Sequence, residues 1–177
     1  MRKTAINPMP EFFDRYINLV DDVPLAEALA QSTELLEPVL PQLEALGDTV
    51  YAPGKWTVRD ILQHCIDTER ILAYRALRFA RNDQTVLPGF DEELFARNTT
   101  AADRSLPDLL DEFSLVRATT VRLFKGFTDE MLRRNGTCFG RQISVLALGF
   151  VIAGHPIHHL NVLRERYFPL ISLKSVS

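Results

Sequence analysis

Cysteine is scarce in this chain. Cys65 and Cys138 are the two it has, far apart and in no CxxC pair. That excludes a disulfide scaffold and fits a reducing compartment. Basic excess is missing as well. Lys and Arg total 20 against 23 Asp and Glu, for a formal net charge of −3 and a pI near 5.8, so the electrostatic footprint of a duplex-binding protein is absent. There is no phosphate-cradling glycine loop and no Ser-His-Asp order. The longest apolar run, about Val145–Ala153, is too short to span a bilayer and leads into histidines. The opening stretch, MRKTAINPMPEFFDRY, has positive charge but neither an apolar h-region nor a small-residue cleavage site. These absences set the expectations of a cytoplasmic protein with no nucleic-acid partner and no membrane partner.

What is present is ordinary globular material. Apolar residues make up 46% and charged residues 24%, and a chain of 20.1 kDa buries about 70% of its unfolded surface without help from a disulfide or structural metal. One domain over 1–177 is expected. Leucine outnumbers valine and isoleucine together. Long stretches without Gly or Pro carry apolar residues at i, i+3, i+4 and i+7, which is helical periodicity.

Residues 11–20 predict a short helix that covers a bundle. Asp22 is the expected cap of a first long helix from near Pro24, with Leu25, Leu29, Leu36, Leu40 and Leu43 as its stripe. Pro38 and Pro41 should kink or split it, and Gly47 should stop it. Thr57 and Asp60, close to a capping box, start a second helix that runs to about Arg81. Residues 82–102 break the pattern. Leu87, Phe90, Leu94 and Phe95 suggest that this connection packs down, with a helical turn at Asp91–Ala96. A third helix from about Ser105 to Lys125 turns Leu109, Phe113, Val116, Thr120 and Phe124 inward. Thr128 to Arg134 reads as one capped turn, and a fourth helix runs from about Ser144 to Tyr167, ahead of Pro169. The fold class is all-α, a four-helix bundle with short N-terminal and connecting helices. A short first join makes helices one and two antiparallel neighbours. A second join of about twenty residues permits helices two and three to be parallel, an up-down-down-up path.

The four histidines lie on two of these helices: His64 on the second, and His155, His158 and His159 on the fourth. Four residues turn a helix by about 40° relative to the starting face, so His155 and His159 share a side. His64 lies about 10.5 Å from the start of its helix and His159 about 12 Å from the end of its own. Antiparallel packing therefore sets them at one level, with His155 a turn deeper. Three imidazoles around one point can hold a divalent ion and leave a coordination position open. The alternative is ordinary core or surface histidines. His158 is turned to the other side and is expected to support a ligand from outside or to face solvent. Pro156, in mid-helix, removes a backbone donor and pushes on the carbonyl of Ile152, so a kink there would re-aim His155 and free a carbonyl. A free histidine titrates near about 6.5, so a three-histidine site is expected to lose affinity steeply below that pH.

The segments KWTVRDILQHCIDTERILAYRALRFARNDQTVLPGFDEELF and ISVLALGFVIAGHPIHHLNVLRERY resemble the DinB/YfiT-like superfamily, in its DinB-2 branch. The resemblance spans about residues 11–168. It rests on the Trp-Thr start, the helix-two histidine, D-T-E-R, L-P-G-F-D and A-G-H-x-x-H-H-x-N-x-L-x-E-R-Y, in that order. It implies an up-down-down-up bundle, often a homodimer, and a divalent metal (Zn, Ni, Mn or Fe) on His64, His155 and His159. Relatives with known activity are transferases and isomerases that depend on a low-molecular-weight thiol: mycothiol, bacillithiol or glutathione. Others are described as metal-dependent hydrolases, and the family name reflects damage-inducible expression. Where this chain has Pro156 the family more usually has Glu.

Other groups carry two readings each. Asp67 either orients a ligand histidine or acts as a base; otherwise it is an exposed helix acid. Thr68 borders the His64 face beside it. Glu69 is turned about 140° from His64 and is expected to pair with Lys or Arg outside the site. Arg70, Arg75 and Arg78 are either a solvated basic face or, for Arg75 and Arg78, an anchor for the carboxylate of a thiol cofactor. Tyr74 and Trp56 read as packing residues, Trp56 with a place at the mouth. Arg164 and Glu165 read as the polar end of helix four. Cys65 points about 100° away from the His64 face and is neither ligand nor nucleophile. The expected activity is that of a metal-dependent enzyme on a small-molecule substrate, either a thiol transferase or a hydrolase. The alternative is a non-catalytic, metal- or ligand-binding stress protein.

Overall fold

From Thr57 to Ser144, the α-helices of this chain start where a side-chain oxygen can take an orphaned N–H. In the computed structural model, which describes residues Met1–Lys174, they follow in the order α1 (Asp14–Ile17), α2 (Leu25–Gln31), a 3-10 turn at Glu37–Val39, α3 (Leu40–Leu46), α4 (Val58–Ala80), α5 (Glu92–Arg97), α6 (Leu106–Lys125) and α7 (Asp129–Arg133). A hairpin of β1 (Asn135–Cys138) and β2 (Arg141–Ser144) then leads into α8 (Val145–Val162), a π-helical turn at Leu163–Tyr167, and α9 (Pro169–Lys174). Thr57 and Asp60 form a complete reciprocal capping box on α4. Asp91, Ser105, Thr128 and Ser144 each accept the N–H three residues on, at the starts of α5, α6, α7 and α8.

Several boundaries differ from expectation, each for a local reason. Asp22 does not cap α2, whose N-cap is Pro24. The N-terminal segment folds back instead, so that the N–H of Leu25 donates to Met1 O at 2.9 Å and the Asp22 carboxylate accepts from Thr4 N at 3.3 Å. The first helix is split into α2 and α3 by turns after Gln31, with Pro38 and Pro41 in the first turns of the 3-10 segment and of α3, and Gly47 ends it at a positive φ of 56°. The fourth helix ends at Tyr167 as expected, through its π-helical turn, and Pro169 starts α9, where a first-turn proline loses no needed donor. Packing reaches beyond residues 11–168: Ile6 is buried and α9 lies against α3. Leu94 and Phe95, expected to pack down, are 50% and 41% exposed.

The all-α bundle carries one small addition, a two-stranded hairpin. Cys138 pairs with Arg141, so its loop is the two residues Phe139 and Gly140, with φ of 54° and 70°. Both positive, these are the angles of the turn that matches strand twist. The connection after α4 joins this edge through Leu87 N to Thr137 O, 2.9 Å.

In the bundle, α4 packs mainly on α6 and α8, and α2 also lies on α6 and α8. Helix one does not have α4 as a principal neighbour, which corrects the expected adjacency; Leu25 lies against Gly149 and Leu29 O shares Arg117 with Ile152 O, so α2 runs parallel to α8. The directions are fixed by side-chain bonds. Arg104, just ahead of α6, reaches Gln63 early in α4, and Arg117 farther along reaches Glu69, so the two run parallel. Tyr167, past the end of α8, reaches Trp56, ahead of α4, so those two run antiparallel. The path is up-down-down-up. By length and composition the helix through Val145–Ser172 could cross a membrane, but 72% of its apolar window is buried. Leu148, Phe150, Ile152 and Ala153 are at most 1% exposed, so it is the central helix of this bundle.

Candidate metal centre

The site begins with a glycine. At Gly154 the backbone of α1 crosses α8 so closely that a Cβ would lie 2.1 Å from the carbonyl oxygen of Tyr16. That crossing seats the Tyr16 ring edge-on to both His155 and His158, centroids 5.3 Å apart in each case. One residue on, His155 points into the bundle. Its Nε2 lies 3.1 Å from Nε2 of His64 on α4 and 3.1 Å from Nε2 of His159. All three nitrogens fall within 4.8 Å of one another. His64 and His155 are buried and His159 half-buried. His158 stays outside the group, with its ring against Tyr16 and His159.

Protonation follows from burial. Burial, then the nearby His158, pushes the His64 pKa down to about 4. His155 is held well below the ordinary value by burial, then by His159 and His64. His159 is held well below it by burial, then by His64 and His158. At neutral pH the group is three uncharged imidazoles, the form that ligates a metal. On the far side of His64, Nδ1 faces Thr68 Oγ1 at 3.4 Å. A proton on Nδ1 shared with this hydroxyl leaves the Nε2 lone pair directed at the group. A tetrahedral ion at about 2.0–2.1 Å sets its ligand nitrogens about 3.3–3.4 Å apart, and the 3.1 Å contacts are on that scale. The three residues therefore fit a divalent ion by donor type, protonation and spacing.

Two openings reach the histidines. A cavity of about 200 Å³ lies against His159, walled by Tyr51, Trp56, Val162 and Tyr167. A tighter recess meets His64 between Asp60, Asp67, Phe90, Glu92 and Phe95. Trp56 stands between them, its ring 4.8 Å from that of His64 and its indole N–H donating to Glu93 at 3.3 Å. Tyr167 holds it there by donating to the Trp56 carbonyl at 2.7 Å.

Asp67 reaches the recess but binds Gln63 Nε2 at 2.9 Å; the group facing His64 Nδ1 is Thr68. Burial raises the pKa of Asp67, and that of Glu92 too. The basic series is not one solvated face. Arg70 pairs with Glu112 at 2.6 Å, and Arg78 pairs with Asp83 and reaches Tyr74. Arg75 is buried at 3% exposure, with Nη2 donating to Pro88 O at 2.7 Å and its guanidinium 4.6 Å over the Phe139 ring. Its Nη1 has no hydrogen-bond partner among the described residues. Tyr74, read as a packing residue, is 53% exposed. Cys65 is buried, and burial pushes its thiol far up. Glu69 does pair with an arginine, but in the interior, with Arg117.

Pro156 does free a carbonyl. Ile152 O, left without a helical donor, accepts from Arg117 Nη2 at 3.1 Å rather than facing the histidines. The residues that sequence reasoning missed are Tyr16, Glu92, Glu93 and Arg117. The last sits on the inner face of α6, where a charged residue amid an apolar stripe was the available signal.

Residues 13–163 match the family model described as the DinB superfamily. Among solved structures, the chain is similar to one described as "YfiT from Bacillus subtilis is a probable metal-dependent hydrolase with an unusual four-helix bundle topology". The two are 20% identical, with a TM-score of 0.60 over 90% of this chain and 89% of that one. At this identity the likeness bears on the fold. No curated protein matches the chain.

Proposed function

The chain belongs to the DinB superfamily, and on that premise we propose that it is a metal-dependent hydrolase whose divalent ion rests on His64, His155 and His159. The observation that carries the reading is the convergence of three uncharged imidazole nitrogens, two of them on buried rings, with one opening at His159 and another at His64. Three protein ligands leave a position for water or substrate, which is the catalytic arrangement. An all-imidazole set suits zinc, iron or nickel better than manganese, which favours oxygen donors. When bound, the ion supplies Lewis acidity, so that a water or thiol at the open position gives up its proton near neutral pH.

The chain's own residues provide the rest. Thr68 orients His64, and Tyr16 fixes the ring plane of His155 and shields it from water. Glu92 and Asp67, whose carboxyls are pushed up by burial in the recess at His64, are placed to hold and return a proton. The aromatic cavity at His159 offers a planar or apolar substrate group its contact surface.

The thiol-transferase reading finds less support. Of its expected anchors for an anionic thiol, Arg78 is paired with Asp83, and Arg75 is buried below Phe139 with Nη2 donating to Pro88 O. The test is a panel of esters, amides and thiol–electrophile pairs, offered to protein loaded in turn with zinc, iron, nickel and manganese. Hydrolysis that needs the ion and falls in Glu92→Gln is expected. Turnover only in the presence of a thiol would establish the transferase instead, and a flat panel would leave a metal-binding protein without catalysis.

A further inference from the structure

Arg117 is 0% exposed at the centre of the bundle. Its Nε and Nη2 bind Glu69 in a fork, at 2.8 Å to Oε1 and 2.8 Å to Oε2. Nη2 also donates to Ile152 O at 3.1 Å. Nη1 donates to Leu29 O at 3.3 Å and to Ser32 Oγ. One guanidinium on α6 thus bonds α4, α8 and the C-terminal end of α2, so that all four helices of the bundle meet on it.

Stability is a weak reason for such a residue. A buried ion pair pays heavily for desolvation, and an apolar replacement of both partners is often as stable. Its location offers a better one. Ile152 O is the carbonyl that Pro156 strips of its helical donor, three residues before His155. Glu69 follows Thr68, which faces Nδ1 of His64. The guanidinium therefore ties α4 beside one ligand to α8 beside the others. The 3.1 Å approach of His64 to His155 depends on how those two helices are offset.

We infer that Arg117 is a positioning residue of the histidine centre, fixing α4 against α8 through Glu69 and through the carbonyl that Pro156 frees. The inference rests on the metal reading above. Lysine keeps the charge beside Glu69 but presents a point ammonium, not a fork that serves several acceptors at once. Arg117→Lys is expected to weaken cobalt(II) and zinc(II) binding by roughly 10- to 100-fold, the usual effect of losing an outer support of a metal ligand. It should also alter the visible spectrum of the cobalt(II) form. Pro156→Ala restores an N–H to Ile152 O, so in that background the loss from Arg117→Lys should shrink.

The experiment is competition of cobalt(II) and zinc(II) against a chromophoric chelator for wild type, Arg117→Lys, Pro156→Ala and the double variant. Wild-type protein also gives a readout independent of variant folding: the side-chain Nε–H signal of Arg117 should shift on zinc addition and saturate with the site. Equal affinity and an identical cobalt spectrum in Arg117→Lys would overturn the proposal while leaving the metal site standing. A wild-type Arg117 signal that ignores zinc would overturn it even if the variant does not fold. A wild type that binds neither ion would remove the metal reading itself, and this inference with it.

Discussion

Acidification of the metal-free protein should weaken its fold well above the pH at which carboxylates titrate. The His64 pKa is about 4 in the folded chain, against about 6.5 when unfolded. Its folded value is depressed, so the unfolded chain binds the proton more tightly. The imidazole costs nothing above about pH 6.5 and a growing amount as pH falls toward 4. At about pH 5 the unfolded imidazole is nearly all protonated and the folded one mostly neutral, a loss of about 2 kcal/mol from this residue alone. His155, His159 and His158 are shifted in the same direction and add to it. Asp67 and Glu92, shifted up, act in the opposite sense, their burial cost being relieved as pH falls through folded values that lie above the ordinary carboxylate range. Asp83, shifted far down beside Arg78, matters only below about pH 4. The assay is urea unfolding of chelated protein, followed by far-UV circular dichroism at steps from about pH 7.5 to about pH 5. The midpoint should hold to about pH 6.5 and then fall steadily. A constant midpoint across the range would refute the burial argument. The same shift revises the expectation of metal loss below about pH 6.5. The folded site stays uncharged at that pH, so proton competition at His64 sets in nearer pH 4.

Gly154→Ala should push α1 off α8, costing about 1–3 kcal/mol as overpacking and displacing Tyr16; melting temperature and metal affinity should fall together. Removal of metal by a chelator should leave far-UV helicity largely intact, because the core of Ile17, Leu29, Phe79, Phe113 and Phe150, each at most 2% exposed, does not include the site. Global unfolding on chelation would mean a structural ion.

Much of this molecule is legible in its sequence because the long helices carry their own start signals. Thr57, Ser105 and Ser144 are hydroxyl caps followed by apolar periodicity, and each opens a helix as read. The spacing of His155 and His159 and the matched depth of His64 bring three nitrogens together by helix geometry alone. What was not legible depends on contacts between distant segments. The hairpin turn uses Phe139-Gly140 rather than Asn-Gly, so its local signal is weak. Arg75 reads as a solvated charge or an anion anchor until the connection after α4 and the hairpin fold over it. Glu92 and Tyr16 come to the histidines from segments whose own patterns say only that they are short helices. Arg117 is intelligible only once Pro156, far along the chain, is seen to have left a carbonyl for it.

The most direct test of the central claim is metal content, measured by elemental analysis on protein purified without a metal-affinity tag. Wild type should carry about one divalent ion per chain, as one three-histidine centre requires. His64→Ala, His155→Ala and His159→Ala should each lose most of it, and His158→Ala should lose much less. Unchanged occupancy in His64→Ala would contradict the account.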